Sequence, residues 1–377
     1  MISPTALRRR ALIAVVAGAA ILLSGCSLST PADGTGPSAP ASASVPLAEL
    51  DLLDDPRSFV GESTAVLADT SVVPVTDAPE QTLPATVESH DLSGDTTVTV
   101  DSTERILALD IAGSIAATVF GLGFGGSVVG RDVSTTFPEA VDLPVVTSGG
   151  HSVNSEAILA LRPTVVITDG TIGPTDVVLQ LREAGIAVVF VDVDPDLDGV
   201  EDLTTQVAAA LGAPEAGELL AARTAASIDD TISQIAAIAP TDPADKLRIA
   251  FLYLRGNAGI YYLFGEGSGA DVLVDALGGV DVAAEIDWTG MKPMTDEALV
   301  AANPDLILVM TDGLESAGGV DGLLETKPAI GLTNAGKNRR FVDMADGEIL
   351  SFGPRTPGVL DALARAIYAP EPASPAS

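Results

Sequence analysis

The sequence predicts an α/β fold: two α/β lobes with central sheets, joined by one long rigid helix. Three observations carry this. From Arg105 onward, short apolar runs such as Ile106 to Leu109, Val165 to Ile167 and Ala187 to Val193 alternate with helical segments. Apolar strands between helices are the mark of parallel sheets. A ten-residue block from Asn154 to Pro163 (NSEAILALRP) returns as Thr295 to Pro304 (TDEALVAANP), with Glu156 and Glu297 each seven residues before the proline. Finally, Glu215 to Ala239 contains glycine only at Gly217, is bracketed by Pro214 and Pro240, and places Ile228, Ile232, Ile235 and Ala239 on one helical face. Those 25 residues would form a rod of roughly 37 Å at about 1.5 Å each, enough to join two lobes stiffly.

The elements follow in order. Residues 1–25 read as a lipoprotein signal peptide: Arg8, Arg9 and Arg10 precede an apolar stretch from Ala11 to Leu23, and Leu23, Ser24 and Gly25 lead to Cys26. That stretch is too short to span a bilayer of roughly 30 Å. Cleavage would make Cys26 the acylated N-terminus, fixing the protein to the outer face of the cell membrane. Residues 26–84 are expected to form the lipidated N-terminus and a largely disordered tether. The first part, to about Val45, is rich in Ser, Pro, Ala, Gly and Thr and cannot bury enough surface to fold. The pattern leaves 46–84 ambiguous. Residues 85–213 form the N-terminal ligand-binding lobe, opening with a hairpin from Thr86 to Val100 around Ser93, Gly94 and Asp95. The linker helix occupies 214–240, the C-terminal ligand-binding lobe 241–370 and a tail 371–377.

Composition excludes several classes. Cys26 is the only cysteine, so once it is acylated no disulfide or thiolate metal site remains. A net charge of −33 repels nucleic acid. No G-x-S-x-G elbow, H-E-x-x-H pair or Walker loop is present, and the protein is not expected to be an enzyme. Gly121 to Gly126 satisfies G-x-G-x-x-G, but it follows a helical segment where a dinucleotide site must follow a strand, so it is expected to be a helix-ending turn. Asp194 to Gly199 begins like a calcium loop, yet its twelfth position is Thr205 where a glutamate is required. Its aspartates are expected to cap the following helix.

Two positions stand out as candidate ligands. Of two histidines, His90 falls in the hairpin, and His151 follows Gly149 and Gly150 just beyond an apolar strand, where ligands bind in α/β sheets. By position alone, a loop histidine is more commonly polar surface. Tyr253 and Arg255 end the apolar strand that opens the second lobe, and their spacing puts both on one face. An arginine beside a phenol favours the phenolate, a hard oxygen donor for trivalent iron. A solvated tyrosine at the sheet edge satisfies the same spacing.

Taken together, Arg105 to Asp110, Val129 to Pro138, Leu143 to His151 and Tyr253 to Gly256 resemble the haem-binding lipoproteins of Gram-positive ABC importers, within the helix-linked class of solute-binding proteins. The resemblance spans about residues 85 to 370. It implies that His151 and Tyr253 bind the iron of ferric haem b from opposite faces, with Arg255 hydrogen-bonding the phenolate and Arg131 a candidate contact for the propionates. It also implies docking to an ABC permease and its ATPase through Glu156 and Glu297, though first-turn glutamates also complement the helix dipole. Surface haem-donor proteins are candidate upstream partners. The alternatives are a siderophore or corrinoid receptor of the same fold and a surface haem-relay protein with no permease.

Overall fold

The computed structural model describes residues 45–148, 150–256 and 260–370; the leader, Cys26 and the tail lie outside the described residues. Strand β1 (Ser63–Ala65) comes first, then the hairpin of β2 (Ala85–Ser89) and β3 (Thr96–Val100). The first lobe continues through β4 (Ile106–Leu109), α1 (Ser114–Gly121), β5 (Val128–Gly130), β6 (Thr147–Ser148), β7 (Ser152–Val153) and α2 (Ser155–Leu161). It closes with β8 (Val165–Thr168), α3 (Thr175–Glu183), β9 (Ala187–Phe190) and α4 (Gly199–Ala210). Helix α5 (Pro214–Ile238) leads out. The second lobe contains β10 (Arg248–Leu254), β11 (Tyr261–Phe264), α6 (Ala270–Ala276), β12 (Val280–Asp281), β13 (Met291–Pro293), α7 (Asp296–Ala302) and β14 (Leu306–Met310). Helices α8 (Thr311–Ser316), α9 (Gly319–Thr326) and α10 (Asn334–Lys337), strand β15 (Phe341–Met344), then α11 (Asp346–Ile349) and α12 (Thr356–Tyr368) complete it.

The first-lobe sheet is parallel, in the order β5-β4-β8-β9. Every residue of β4 and β8 is buried, as expected of strands covered by helices on both faces. The second-lobe sheet runs β1-β15-β14-β10-β11-β13, with β12 also pairing β10. Its first four strands are parallel, whereas β11 and β13 are antiparallel. Among the described residues no helix is long and apolar enough to cross a membrane.

Helix α5 is seated in both cores. Ala216 and Leu220 pack with the first-lobe residues Val207 and Leu211, while Ile228 and Ile235 pack with the second-lobe residues Leu247 and Leu363. The helix starts with Pro214 at its first position, where the missing N–H is not needed. Burying one rod in two hydrophobic cores couples the lobes through a stiff element.

The N-terminal segment corrects the tether expected over residues 26–84. From residue 45 onward it is built into both lobes. Leu47 is fully buried in the second-lobe core, and β1 extends that lobe's sheet beside β15, Thr64 facing Asp343. The buried Arg340 guanidinium donates to Ser63 Oγ at 2.7 Å and to the carbonyls of Ala366 and Ile367, fastening β1 to the end of α12. The chain then crosses to the first lobe, where Val72 enters the core, Val75 N–H bonds Gly121 O and Gln81 Nε2 donates to Leu211 O. Isolated apolar residues and a three-residue strand give no periodic signal, so the segment's composition concealed a fold that depends on edges and sockets made elsewhere.

The repeat has matching local structure. Asn154 caps α2 by accepting from Ala157 N, and Thr295 caps α7 by accepting from Ala298 N. Both helices end in a left-handed residue, Arg162 at φ 48° and Asn303 at φ 44°. The likeness stops after the following strands: Asp169 accepts from Thr171 in a turn, whereas Thr311 to Gly313 begins α8. The G-x-G-x-x-G stretch is the helix-ending turn expected, with Gly123 at φ +96° where a Cβ would meet Thr76 O at 2.2 Å. Of the aspartates expected to cap α4, Asp198 holds the cap position without a side-chain bond, and Asp196 accepts from Gly199 N at 2.5 Å.

Candidate functional site

The carboxyl ends of the two sheets face one another. Beyond β5, the loop from Asp132 to Phe137 lies against the turn after β15: a Cβ on Gly347 would meet Ser134 O at 2.5 Å. Next to it, Ser114 Oγ is 3.5 Å from Ser351 Oγ, and the Arg355 guanidinium sits 5.8 Å from the Phe137 ring while bonding Glu348 at 2.7 Å. These contacts join the lobes at one end of the cleft.

His151 belongs to the first-lobe side. It lies in the connection between β6 and β7, a two-rung hairpin in which Thr147 pairs Val153 and Ser148 pairs Ser152. Gly150 beside it has φ +93°, a conformation that glycine adopts without strain. The His151 side chain is exposed. In the second lobe, just past the carboxyl end of β15, burial holds the Asp346 carboxyl above the usual range, and His151 is the last and smallest influence against that shift.

Tyr253 lies at the same end of β10. Strand β14 separates β10 from β15 in the second-lobe sheet. Arg255 Nε donates to Tyr253 Oη at 3.1 Å, with the guanidinium 5.9 Å from the ring centroid. Tyr253 is half-buried and pairs with Tyr262 across the ladder, ring centroids 6.2 Å apart. Phe264 lies 6.4 Å from Tyr253 and pairs with the exposed Met291. Period two puts Tyr253, Tyr262, Phe264 and Met291 on one face. The result is an aromatic row that runs from the core to an exposed rim.

The chain has four tyrosines, and their environments differ. Tyr261 donates to Asp296 Oδ1 at 2.9 Å, and burial first, then that carboxylate, pushes its phenol well up. Tyr368 donates to Leu277 O at 2.6 Å, and burial pushes it up to about 12. Both are neutral structural donors. Tyr253, by contrast, has a cationic donor, Arg255, at its oxygen and is only half-buried.

Arg131, the candidate propionate contact, is bonded within its own loop, with Nε unpartnered. Its Nη1 donates to the carbonyls of Asp132 and Thr135 and its Nη2 to that of Val141. The guanidinium closes its own loop, a role invisible in the spacing of the sequence. Glu156 and Glu297 are exposed and occupy the same position in the first turns of α2 and α7. Each helix precedes a parallel strand and runs against it, so both acids lie toward the cleft side of their lobes.

Sequence reasoning did not reach Tyr262, Phe264, Met291 or Asp346. The alternation in Tyr261 to Phe264 signals a strand, but its partner strand is set by the tertiary fold.

A family profile described as periplasmic binding protein matches residues 111–346, well over half of the chain. The chain belongs to the periplasmic binding protein family. Its structural neighbours place it among the helix-linked, two-lobed members, which are substrate-binding transport proteins. A solved tyrosine-to-alanine variant of the heme binding protein HmuT aligns with this binding protein at a TM-score of 0.79 and 39% identity, covering 85% of this chain and 97% of that one. Other solved variants of HmuT carry alanine in place of an arginine two residues beyond that tyrosine, or of a histidine. A Bacillus subtilis relative, the uncharacterized ABC transporter substrate-binding lipoprotein YvrC, is 28% identical over 66% of this chain and 76% of its own length. A cobalamin-binding protein of Halobacterium salinarum is 29% identical, over 59% of each chain.

Proposed function

We propose that this periplasmic binding protein is a lipid-anchored extracellular receptor for ferric haem b, which it delivers to an ABC permease and its ATPase. The observation that carries the reading is the Arg255 to Tyr253 hydrogen bond at the cleft end of β10, facing a first lobe that presents His151 on a hairpin. His151 and Tyr253 are the axial ligands, one per lobe. The nitrogen and hard oxygen donors suit the oxidised iron expected outside a cell, and the row of Tyr262, Phe264 and Met291 offers a porphyrin an apolar wall. Support comes from the HmuT variants, whose replaced residue types and tyrosine-to-arginine spacing recur here as Tyr253 and Arg255, with a histidine also at stake. Glu156 and Glu297 are the docking acids, and Cys26 carries the lipid.

A corrinoid ligand is the second reading, favoured by the Halobacterium relative. A cobalamin brings its cobalt with the axial positions already filled by its own benzimidazole and upper ligand, and does not require the arginine-supported phenol. The test is a visible absorption titration of the protein with ferric haem, beside His151→Ala and Tyr253→Ala and with cyanocobalamin as competitor. Saturable one-to-one binding with an altered spectrum in each variant is expected. Weak haem binding indifferent to both substitutions would overturn the haem reading, and displacement by cyanocobalamin would establish the corrinoid one.

A further inference from the structure

We infer that the first lobe carries a second metal site, separate from the cleft, for a divalent first-row transition ion, formed by Glu88, His90, Asp95 and Asp192. One ligand atom from each of Glu88, His90 and Asp95 can be chosen so that all lie within 4.8 Å of one another. His90 Nδ1 is 3.1 Å from Asp95 Oδ1 and 3.5 Å from Asp192 Oδ2. Ligand atoms at about 2.0–2.2 Å from a tetrahedral zinc ion stand roughly 3.3–3.5 Å apart. The two spacings from His90 Nδ1, to Asp95 and to Asp192, are of that size, and Glu88 would close the set by a side-chain adjustment within the 4.8 Å group.

The donors come from three stretches held in place independently. The His90 backbone N–H bonds Phe190 O at 2.9 Å, tying the hairpin to β9. On either side of His90, the buried Ser89 and Asp91 are gripped by Arg182, whose guanidinium bonds Asp91 and donates to Ser89 Oγ at 3.0 Å. Asp192 is fixed from α4, its N–H donating to Gln206 Oε1 at 2.9 Å. Supports of this kind hold ligands in orientation before the ion arrives. Arg182, which flanks the site, is paired with Asp91, and the ion pairs given for Asp95 and Asp192 are to His90 alone. On binding, the proton that Nδ1 donates to Asp95 in the free protein leaves through solvent and Nε2 carries the ring proton, so that the Nδ1 lone pair turns to the metal and Asp95 and Asp192 take up coordination. The imidazole favours zinc-like ions over calcium or magnesium, which take oxygen donors.

The test titrates ZnCl2 by calorimetry into chelator-treated, tag-free protein, with His90→Ala, Asp192→Asn and His151→Ala in parallel. His90 and His151 are the only histidines, so the competing imidazole is controlled directly. Expected are one saturable site, affinity reduced more than about tenfold by His90→Ala or Asp192→Asn, and no change in His151→Ala or in millimolar calcium. Thermal midpoints without zinc check that the variants fold, and wild type and His151→Ala should gain more stability from added zinc than His90→Ala or Asp192→Asn. Absence of saturable binding, binding unchanged in His90→Ala, or binding abolished by His151→Ala overturns the inference.

Discussion

Replacing Leu47 by alanine tests whether the segment ahead of β1 is part of the folded body. The side chain is fully buried in the second-lobe core. The turn that carries it is pinned on α12: Arg365 Nη2 donates to Val45 O at 2.6 Å, and Leu53 N–H bonds Tyr368 O at 2.8 Å. Truncation to alanine removes three carbons from this socket, about 2.4 kcal/mol of transfer free energy at about 0.8 kcal/mol each. The unfilled volume adds to this, because neighbours held by α5 and α12 relax incompletely, giving about 3 kcal/mol in all. For a folded body of this size the midpoint should fall by roughly 4 °C. Differential scanning calorimetry beside Glu49→Ala, an exposed position on the same turn, isolates the burial effect. The Glu49 variant should match wild type. A Leu47→Ala midpoint within about 1 °C of wild type would refute the reasoning and restore a loosely attached tether.

Two further outcomes follow from the site. Arg255→Ala should leave haem binding saturable but speed dissociation by roughly tenfold in stopped-flow transfer to apomyoglobin, the low end for a charge-assisted hydrogen bond on an exposed side chain; an unchanged rate would show that the guanidinium does not support the Tyr253 oxygen. Burial, then the neighbouring Asp132 and Asp169 carboxylates, hold the Asp110 carboxyl well above its usual range. Its folded pKa exceeds its unfolded value, so its burial cost is greatest at neutral pH and is relieved as pH falls through the folded pKa towards about 4. Wild type should therefore gain stability relative to Asp110→Asn between pH 7.5 and pH 5 in urea melts. A difference between the two proteins that stays constant with pH would contradict this.

Much of the architecture was legible because its signals are local. Continuous apolar runs specify covered parallel strands, prolines bound α5, and the block repeated at Asn154 and Thr295 encodes a cap, a short helix and a left-handed exit in ten residues. The pairing of Tyr253 with Arg255 was legible for the same reason, since two side chains two residues apart on a strand share a face. Other features depend on chain segments far apart in sequence. Leu47 and β1 fold only because α12 and β15 supply a socket and an edge. Arg131 serves its own loop because the carbonyls of Asp132, Thr135 and Val141 converge on it. Strand pairing alone places Tyr262 opposite Tyr253, and the approach of the lobes brings Ser134 to Gly347. The sequence by itself determined the strands, the helices, the linker and the chemistry each candidate residue can offer, because those follow from periodicity and side-chain type. Tertiary structure decided which of those residues meet, which are occupied by the protein itself and which remain open at the cleft, because contact depends on distances that no local pattern records.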